Sequence, residues 1–315
     1  MPCEWHARQG SALNVGAWLT TAAGAALILL VLRDVFDRLW HPSARGGLSQ
    51  WLLAGVWRLT APVRRRSGRR PRTIELTGSA AMVSVVGSWL VLVVAGWTLV
   101  YLPHMPQGFA FGAGARPIPG NGLLDALYLS LVTLSTLGFG DVVPDAGWLR
   151  MAVPLEALAG FALLTAAVTW VLQVYPVLSR RRVLAARLSL LRGFVTRAGA
   201  EPVDRDARIR LLEDLAVELV RVRVDLVQHA ETYYVADGRP EVSLAAGLDV
   251  VAHLADERSR SQDPATRTAA GLLGSALADL CALLDQDFLH TGGPVDAVLR
   301  AYAVDHGHPP DQRVR

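Results

Sequence analysis

Hydrophobic positions along the chain gather into three long runs. Residues 11–32 hold 22 positions without a charge, residues 77–102 hold 26, and residues 151–179 hold 29 with one charge, Glu156. A helix needs roughly 20 apolar residues to cross a bilayer, so each run predicts a transmembrane helix. The run 48–59 is shorter. Its Trp51, Leu52, Leu53, Val56, Trp57 and Leu59 predict an amphipathic helix lying on the inner leaflet. Between the second and third runs, the Pro/Gly-rich stretch 109–122 reads as an exposed loop. Residues 123–134 follow as a short helical run with Asn121 as its cap, too short to cross a membrane. Beyond residue 182 the pattern predicts helices at 183–196, 205–233, 241–258, 265–289 and 294–303, with Asp204 capping the second.

Composition agrees with a membrane protein. Hydrophobic residues make up 52% and charged residues 19%, with a mean hydropathy of +0.31; soluble domains carry nearer a quarter charged residues. A secreted or cytosolic enzyme is excluded, and the expectation is a non-enzyme. All 31 basic residues are Arg, which suggests a GC-rich bacterial genome and an inner-membrane location. The pI of about 9.2 comes from clusters beside the membrane, so nucleic acid is not an expected partner. Residues 33–75 hold ten Arg, among them Arg64, Arg65, Arg66, Arg69, Arg70 and Arg72, and Arg180, Arg181 and Arg182 follow the third run. Residues 103–149 hold Arg116 alone. Short cytoplasmic loops collect Arg, which predicts 33–75 and the C-terminal part inside and the N-terminus outside. The Arg64–Arg72 cluster is an expected site for anionic lipid. The first run lacks a basic leader and a small-residue cleavage site, and reads as a retained helix. Cys3 and Cys281 fall on opposite sides in this topology, so no disulfide is expected.

The decisive motif follows the half-length helix: Thr133, Leu134, Ser135, Thr136, Leu137, Gly138, Phe139, Gly140, Asp141, with Pro144 beyond. A half-length helix followed by Thr-x-Gly-Phe-Gly between two full spans is a re-entrant loop. This stretch resembles the potassium-channel pore domain, whose filter reads Thr-Val-Gly-Tyr-Gly with Phe-for-Tyr variants. The resemblance covers residues 77–178. The phrase Arg33, Asp34, Val35, Phe36 with His41 and Pro42 looks like a group of bacterial channels with an extra N-terminal helix.

The chemistry accounts for the residue types. A dehydrating cation needs a row of oxygens, supplied by backbone carbonyls that all face one axis. Gly138 and Gly140 permit backbone angles that a Cβ opposes. Thr136 adds a hydroxyl, while Leu137 and Phe139 turn outward and wedge the strand against the pore helix. That helix aims its negative C-terminal end at the cation. The resemblance implies K⁺ at the carbonyls of Thr136, Leu137, Gly138, Phe139 and Gly140, no cofactor and no other metal. It further implies Asp141 as a brace of the outer mouth, Gly160 as a gating hinge, and Trp148 and Arg150 at the start of the inner helix. Val132 departs from relatives that carry a Glu pairing with that Asp, so the brace here must differ. One chain supplies one loop and a filter needs four, which implies a homotetramer.

Glu156 is the one ionisable residue within the three runs, and intramembrane carboxylates are functional suspects by default. It either braces the filter through Ser135, Tyr128 or a backbone group, senses ions or protons, or is merely tolerated. Ala162, Thr165, Thr169 and Gln173 are candidates to line the cavity, or alternatively to bond neighbouring helices. Pro176 is expected to end or kink the helix.

The fold class expected is an all-α membrane protein. Three transmembrane helices, a re-entrant pore helix and a selectivity filter precede a helical cytoplasmic C-terminal domain. The segments are 1–40 (first span), 41–76 (basic loop), 77–178 (pore domain) and 179–315 (helical domain). No span has Arg at every third position and residues 183–315 lack a Gly-x-Gly-x-x-Gly unit, so neither a voltage sensor nor a nucleotide-binding domain is expected. Leu212, Leu215, Leu219, Val222 and Leu226 run at 3-4-3-4 spacing, a seam for packing inside a bundle or between subunits. The reading is a potassium-selective channel whose C-terminal domain takes an unknown ligand or partner. The alternatives are a weakly selective cation channel and a membrane-anchored signalling or scaffold protein with a vestigial loop.

Overall fold

The computed structural model of the chain describes residues 3–40, 55, 57, 58, 71–112, 117, 120–198 and 204–308. The expected inner-leaflet helix and the Arg64–Arg72 cluster lie outside the described residues, apart from Gly55, Trp57, Arg58 and the backbone of Pro71 and Arg72. Two compact units form: Met1–Ser49 with Ser84–Val171, and Gln50–Val83 with Leu172–Arg315.

The first unit contains α1 (Cys3–Trp40), part of α2 (Pro71–Tyr101), α3 (Gly122–Leu134) and the start of α4 (Leu149–Ala198). The stretches Val15–Trp40, Met82–His104 and Leu149–Phe194 are long and apolar enough to cross a membrane. The chain is an all-α, multi-pass membrane protein. Helices α1 and α2 cross where each lacks a side chain: a Cβ on Gly24 would lie 2.5 Å from the Gly96 carbonyl oxygen, and one on Gly96 would lie 2.7 Å from Ile28. Small residues permit this approach, and close packing is what holds helices together in lipid. Near the other end of α1, buried Asp34 accepts a hydrogen bond of 2.8 Å from Trp89 Nε1 of α2. Glu156 is therefore not the sole carboxylate inside a span. Asp34 sits just past the uncharged run that marks the first helix, and the span extends to include it.

The stretch expected to be all loop contains a strand. β1 (Phe109–Phe111) pairs antiparallel with β2 (Val142–Pro144), placing Phe109 opposite Pro144 and Phe111 opposite Val142. The Gly108 carbonyl accepts from the amides of Asp145 and Ala146, and the Gly112 amide donates to the Asp141 carbonyl. Three residues of aromatic–Ala–aromatic are too short to signal a strand by themselves; pairing across 30 residues supplies it.

Helix α4 has 50 residues, about 75 Å at 1.5 Å per residue, far beyond a bilayer's roughly 30 Å core. The helix does not end at Pro176, one of the two outcomes expected there, and the predicted helix 183–196 is the end of the same helix. A proline inside a helix costs about 3 kcal/mol. Here Val174, Val177, Leu178, Leu184, Ala185 and Leu188 are buried along one stripe on both sides of it, and that burial outweighs the missing hydrogen bond.

In the second unit the end of α4 joins α5 (Arg205–Gln228), α6 (Leu244–Ser259), α7 (Pro264–Leu284) and α8 (Val295–Asp305) around one core. Asp204 caps α5 as expected, accepting from the Ala207 amide, and Asp263 caps α7, accepting from the Thr266 amide. The Leu212–Leu226 seam is buried with Leu273, Leu277 and Leu280 of α7, so it serves this bundle rather than a subunit contact. Pro264–Leu289 is also apolar enough to span, but half of that stretch is buried and its apolar face forms this core. Trp57 is 6% exposed and belongs to the same core. Its Nε1 donates to Asp305 Oδ2 at 2.9 Å, and its ring meets Tyr233, Tyr234 and His306. This tryptophan was expected on the inner leaflet; the aromatic residues around it give it a protein environment instead. Cys281 is a buried free thiol.

Candidate functional site: the loop after the half-length helix

Helix α3 starts at Gly122, and the Asn121 side chain makes no capping hydrogen bond; its carbonyl accepts from the Leu124 amide instead. At the other end the chain leaves the helix by folding back on it. The Val132 carbonyl accepts from the amides of Leu137 (3.0 Å) and Gly138 (3.4 Å) and from Ser135 Oγ (3.2 Å). Ser135 Oγ also donates to the Leu131 carbonyl at 2.6 Å. The orphan carbonyls of the last turn are thus satisfied by the loop that follows.

That loop has an alternating backbone. Thr136 has φ +57°, Gly138 +54° and Gly140 +73°, whereas Leu137 and Phe139 between them are not in the left-handed region. Alternation of left- and right-handed residues turns successive carbonyls to the same side of the strand. A β-branched residue at positive φ is a genuine outlier, and such strain, of order 1–3 kcal/mol, persists where the surroundings impose it. Leu137 and Phe139 are 62% and 67% exposed. The single chain therefore leaves most of both side chains open, although the sequence reading has them wedge the strand against the preceding helix.

Two carboxylates tie this loop and helix in place. Asp141 accepts from Tyr128 OH at 2.6 Å through Oδ2 and from the Val142 amide through Oδ1. Tyr128 is four residues before Val132 on α3, so the brace does differ from a carboxyl pair. Glu156 is wholly buried. Its Oε2 accepts from Tyr101 OH and its Oε1 from Ser130 Oγ, both at 2.7 Å. Glu156 therefore joins α2, α3 and α4 at one point, with Ser130 and Tyr101 in place of the expected Ser135 or Tyr128. The Ser130 hydroxyl also lies 3.3 Å from the Val94 carbonyl.

The remaining predicted residues spread along α4. Gly160 packs against the end of α3, where a Cβ would lie 2.1 Å from the Leu134 carbonyl oxygen. Ala162, Thr165, Thr169 and Gln173 are exposed. The hydroxyls of Thr165 and Thr169 donate to the carbonyls of Phe161 and Thr165 in their own helix. None of the four lines the largely apolar cavity of about 350 Å³ between Val94, Leu131, Thr136, Gly160 and Leu164. Trp148 meets Trp18 and His104, and Thr21 Oγ1 lies 3.1 Å from His104 Nε2. Arg150 pairs with Asp145 at the surface. His104, Trp18 and Thr21 carry no local signal in the sequence.

Among the described residues no group of three or more His, Cys, Asp or Glu side chains could hold a metal ion.

Residues 87–175 match the model of a family described as Ion channel. That stretch is therefore similar to ion channels. A curated relative from Bacillus subtilis (strain 168), named "Uncharacterized membrane protein YdjJ", is 25% identical over 164 residues. The match takes in 52% of this chain and 46% of that relative. The chain thus spans about half the length of the relative it matches. No solved structure matches.

Proposed function

We propose that this chain is one of four subunits of a potassium-selective channel in a bacterial inner membrane. The observation that carries the reading is the alternation at residues 136–140: left-handed Thr136, Gly138 and Gly140 separated by Leu137 and Phe139. A strand of this kind turns its carbonyls to one side, and four such strands around an axis would offer a dehydrated K⁺ a ladder of oxygens. Thr136 would add its hydroxyl at one end of the row. The exposed Leu137 and Phe139 would be covered by neighbouring subunits, since their own chain leaves them open. Irregular backbone at membrane depth is tolerated only where protein encloses it or it lines a pathway. The resemblance to the Thr-Val-Gly-Tyr-Gly filter and the ion channel match support the same reading. Asp141 and Tyr128 brace the loop on one side, Glu156 holds the helix behind it, and α4 lines the pathway, with its N-terminal end outside and the C-terminal unit in the cytoplasm.

Ion flux in liposomes tests the reading. Purified protein should pass K⁺ and Rb⁺ and hardly pass Na⁺. Replacing Gly138 or Gly140 by Ala should abolish flux while leaving assembly intact, because the added Cβ opposes a left-handed backbone by about 1–2 kcal/mol in each subunit. Equal Na⁺ and K⁺ fluxes would instead favour a weakly selective cation channel. Absence of any flux from a folded tetramer would favour a membrane-anchored signalling or scaffold protein.

A further inference from the structure

The second unit turns an apolar face outward that its own fold does not use. On α4, Val183, Leu190 and Phe194 are 63%, 76% and 55% exposed, although Leu184, Ala185 and Leu188 between them are core. On α5, Val217, Val220 and Val224 are exposed opposite the buried Leu212–Leu226 seam. Both stripes have helical spacing: seven residues from Val183 to Leu190, and three then four along the valines. The two helices are joined side by side by ion pairs. Arg180 forks onto Asp225, with contacts of 3.0 and 2.7 Å, and Arg187 meets Glu218 at 2.7 Å and Asp214 at 3.5 Å. Each stripe borders this row on the side away from the core.

We propose that this face is where a second copy of the chain docks, joining the units of neighbouring subunits. The inference rests on the four-subunit reading above. Three observations favour a second copy over a lipid surface or an unrelated protein. First, α4 runs unbroken from Leu149 to Ala198. In any assembly that gathers four copies around a pathway lined by α4, the same helix carries Val183, Leu190 and Phe194. Four copies of the stripe are then held at high effective concentration. Second, the charges beside the stripes are mixed in sign, and Arg180 and Arg187 pair within the chain with Asp225, Asp214 and Glu218. Exposed Arg210 and Arg221 alternate with Glu213 and Asp214 along α5, whereas an anionic bilayer selects a one-signed basic rim. Third, β-branched and aromatic side chains at heptad spacing suit helix-on-helix packing.

The test uses the full-length channel with Cys3 replaced by Ser, the buried Cys281 retained, and single cysteines introduced by Leu190→Cys, Val220→Cys or, as a control, Leu272→Cys. Leu272 is 54% exposed, between Val220 and Leu190, but lies on α7, off the face. Native mass spectrometry first counts the subunits. In a four-copy assembly, Leu190→Cys and Val220→Cys should lose labelling by a polar maleimide. They should also give covalently linked dimers with a short bismaleimide, while Leu272→Cys labels freely and stays unlinked. A tetramer in which all three positions label alike and none links would overturn this interface and leave the channel reading intact. Protection that appears in vesicles but vanishes in detergent-solubilised tetramers would assign the face to lipid, and likewise overturn it. A single-copy mass would overturn both readings together.

Discussion

Gly160 of α4 lies against the carbonyl of Leu134, the last residue of α3, so closely that a Cβ would fall 2.1 Å from the oxygen. The contact sets how near α4 comes to the end of α3. It gives this glycine a packing role that a hinge would not require. Gly160→Ala should therefore displace α4 from α3, at a cost of about 1–3 kcal/mol typical of overpacking. A pure hinge residue would tolerate Ala in the resting state, because Ala favours helix. Thermal stability of the assembled protein separates the two. Gly160→Ala should melt earlier, whereas Gly87→Ala, with nothing within 4 Å of the new Cβ, should not.

Glu156 distinguishes a hydrogen-bonded clasp from an obligatory charge. Gln at this position retains one acceptor and gains a donor. Ser130 can turn its hydroxyl to the Val94 carbonyl, already 3.3 Å away, and accept from the new amide. Glu156→Gln should thus conduct nearly as wild type, while Glu156→Val strands Tyr101 OH and leaves Ser130 Oγ only the longer bond to the Val94 carbonyl. Buried groups left unpaired cost about 1–3 kcal/mol. Single-channel open time and assembly yield should fall for Val and hold for Gln; loss of both with Gln would show that the charge itself is required.

The Tyr128–Asp141 hydrogen bond spans from α3 to the residue directly after the alternating stretch 136–140. Tyr128→Phe deletes only the hydroxyl and frees Asp141 Oδ2, while the Val142 amide still donates to Oδ1. The net loss should be about 1 kcal/mol or somewhat more, as for bonds to charged groups. It should be read as shorter openings rather than as unfolding, since the change is small and lies at the exposed end of the loop. Asp141→Asn keeps an acceptor for Tyr128 and should be milder than Asp141→Ala. Equal behaviour of all three variants would argue that the bond carries no functional weight.

Much of the first unit was legible because lipid imposes simple rules. Uncharged runs marked the spans, and the short run before Thr136 marked a helix that could not cross. The glycines at 138 and 140 announced a left-handed backbone. What stayed hidden depends on pairing across distance. Tyr101, Ser130 and Glu156 are 26 to 55 positions apart, and no local pattern says which hydroxyl meets which carboxylate oxygen. Ser135 is nearer to the loop in sequence, but as the C-cap of α3 its hydroxyl is committed to Leu131 and Val132. Pro176 misled for the opposite reason. Its local preference is strong, yet the buried stripe on either side outweighs it. Trp57 was misplaced because an amphipathic pattern states that one face is apolar without stating what covers it.

His306 sets an acid limit on the second unit. The ring is buried, with Nε2 2.9 Å from the Tyr233 carbonyl and Nδ1 3.2 Å from the Tyr302 carbonyl. Burial pushes its pKa down to about 4, opposed by neighbouring Asp305 and by the carbonyls, and assisted by Arg181. Arg181 is itself held by the Thr232 carbonyl at 2.6 Å and by Asp237 at 3.2 Å, so its charge is fixed beside the ring. An unfolded histidine titrates near 6.5. Because the folded value is the lower one, the unfolded chain binds the extra proton first. The contribution is then fully present above about pH 6.5 and is lost as pH falls from there toward 4. The full-length protein should accordingly melt progressively earlier over that window. His306→Gln, which cannot titrate, should start less stable at neutral pH but show a flatter profile. The measurement is the thermal midpoint of both proteins at pH 7.5, 6 and 5. Parallel profiles would mean that another group, not His306, carries the acid sensitivity of this unit.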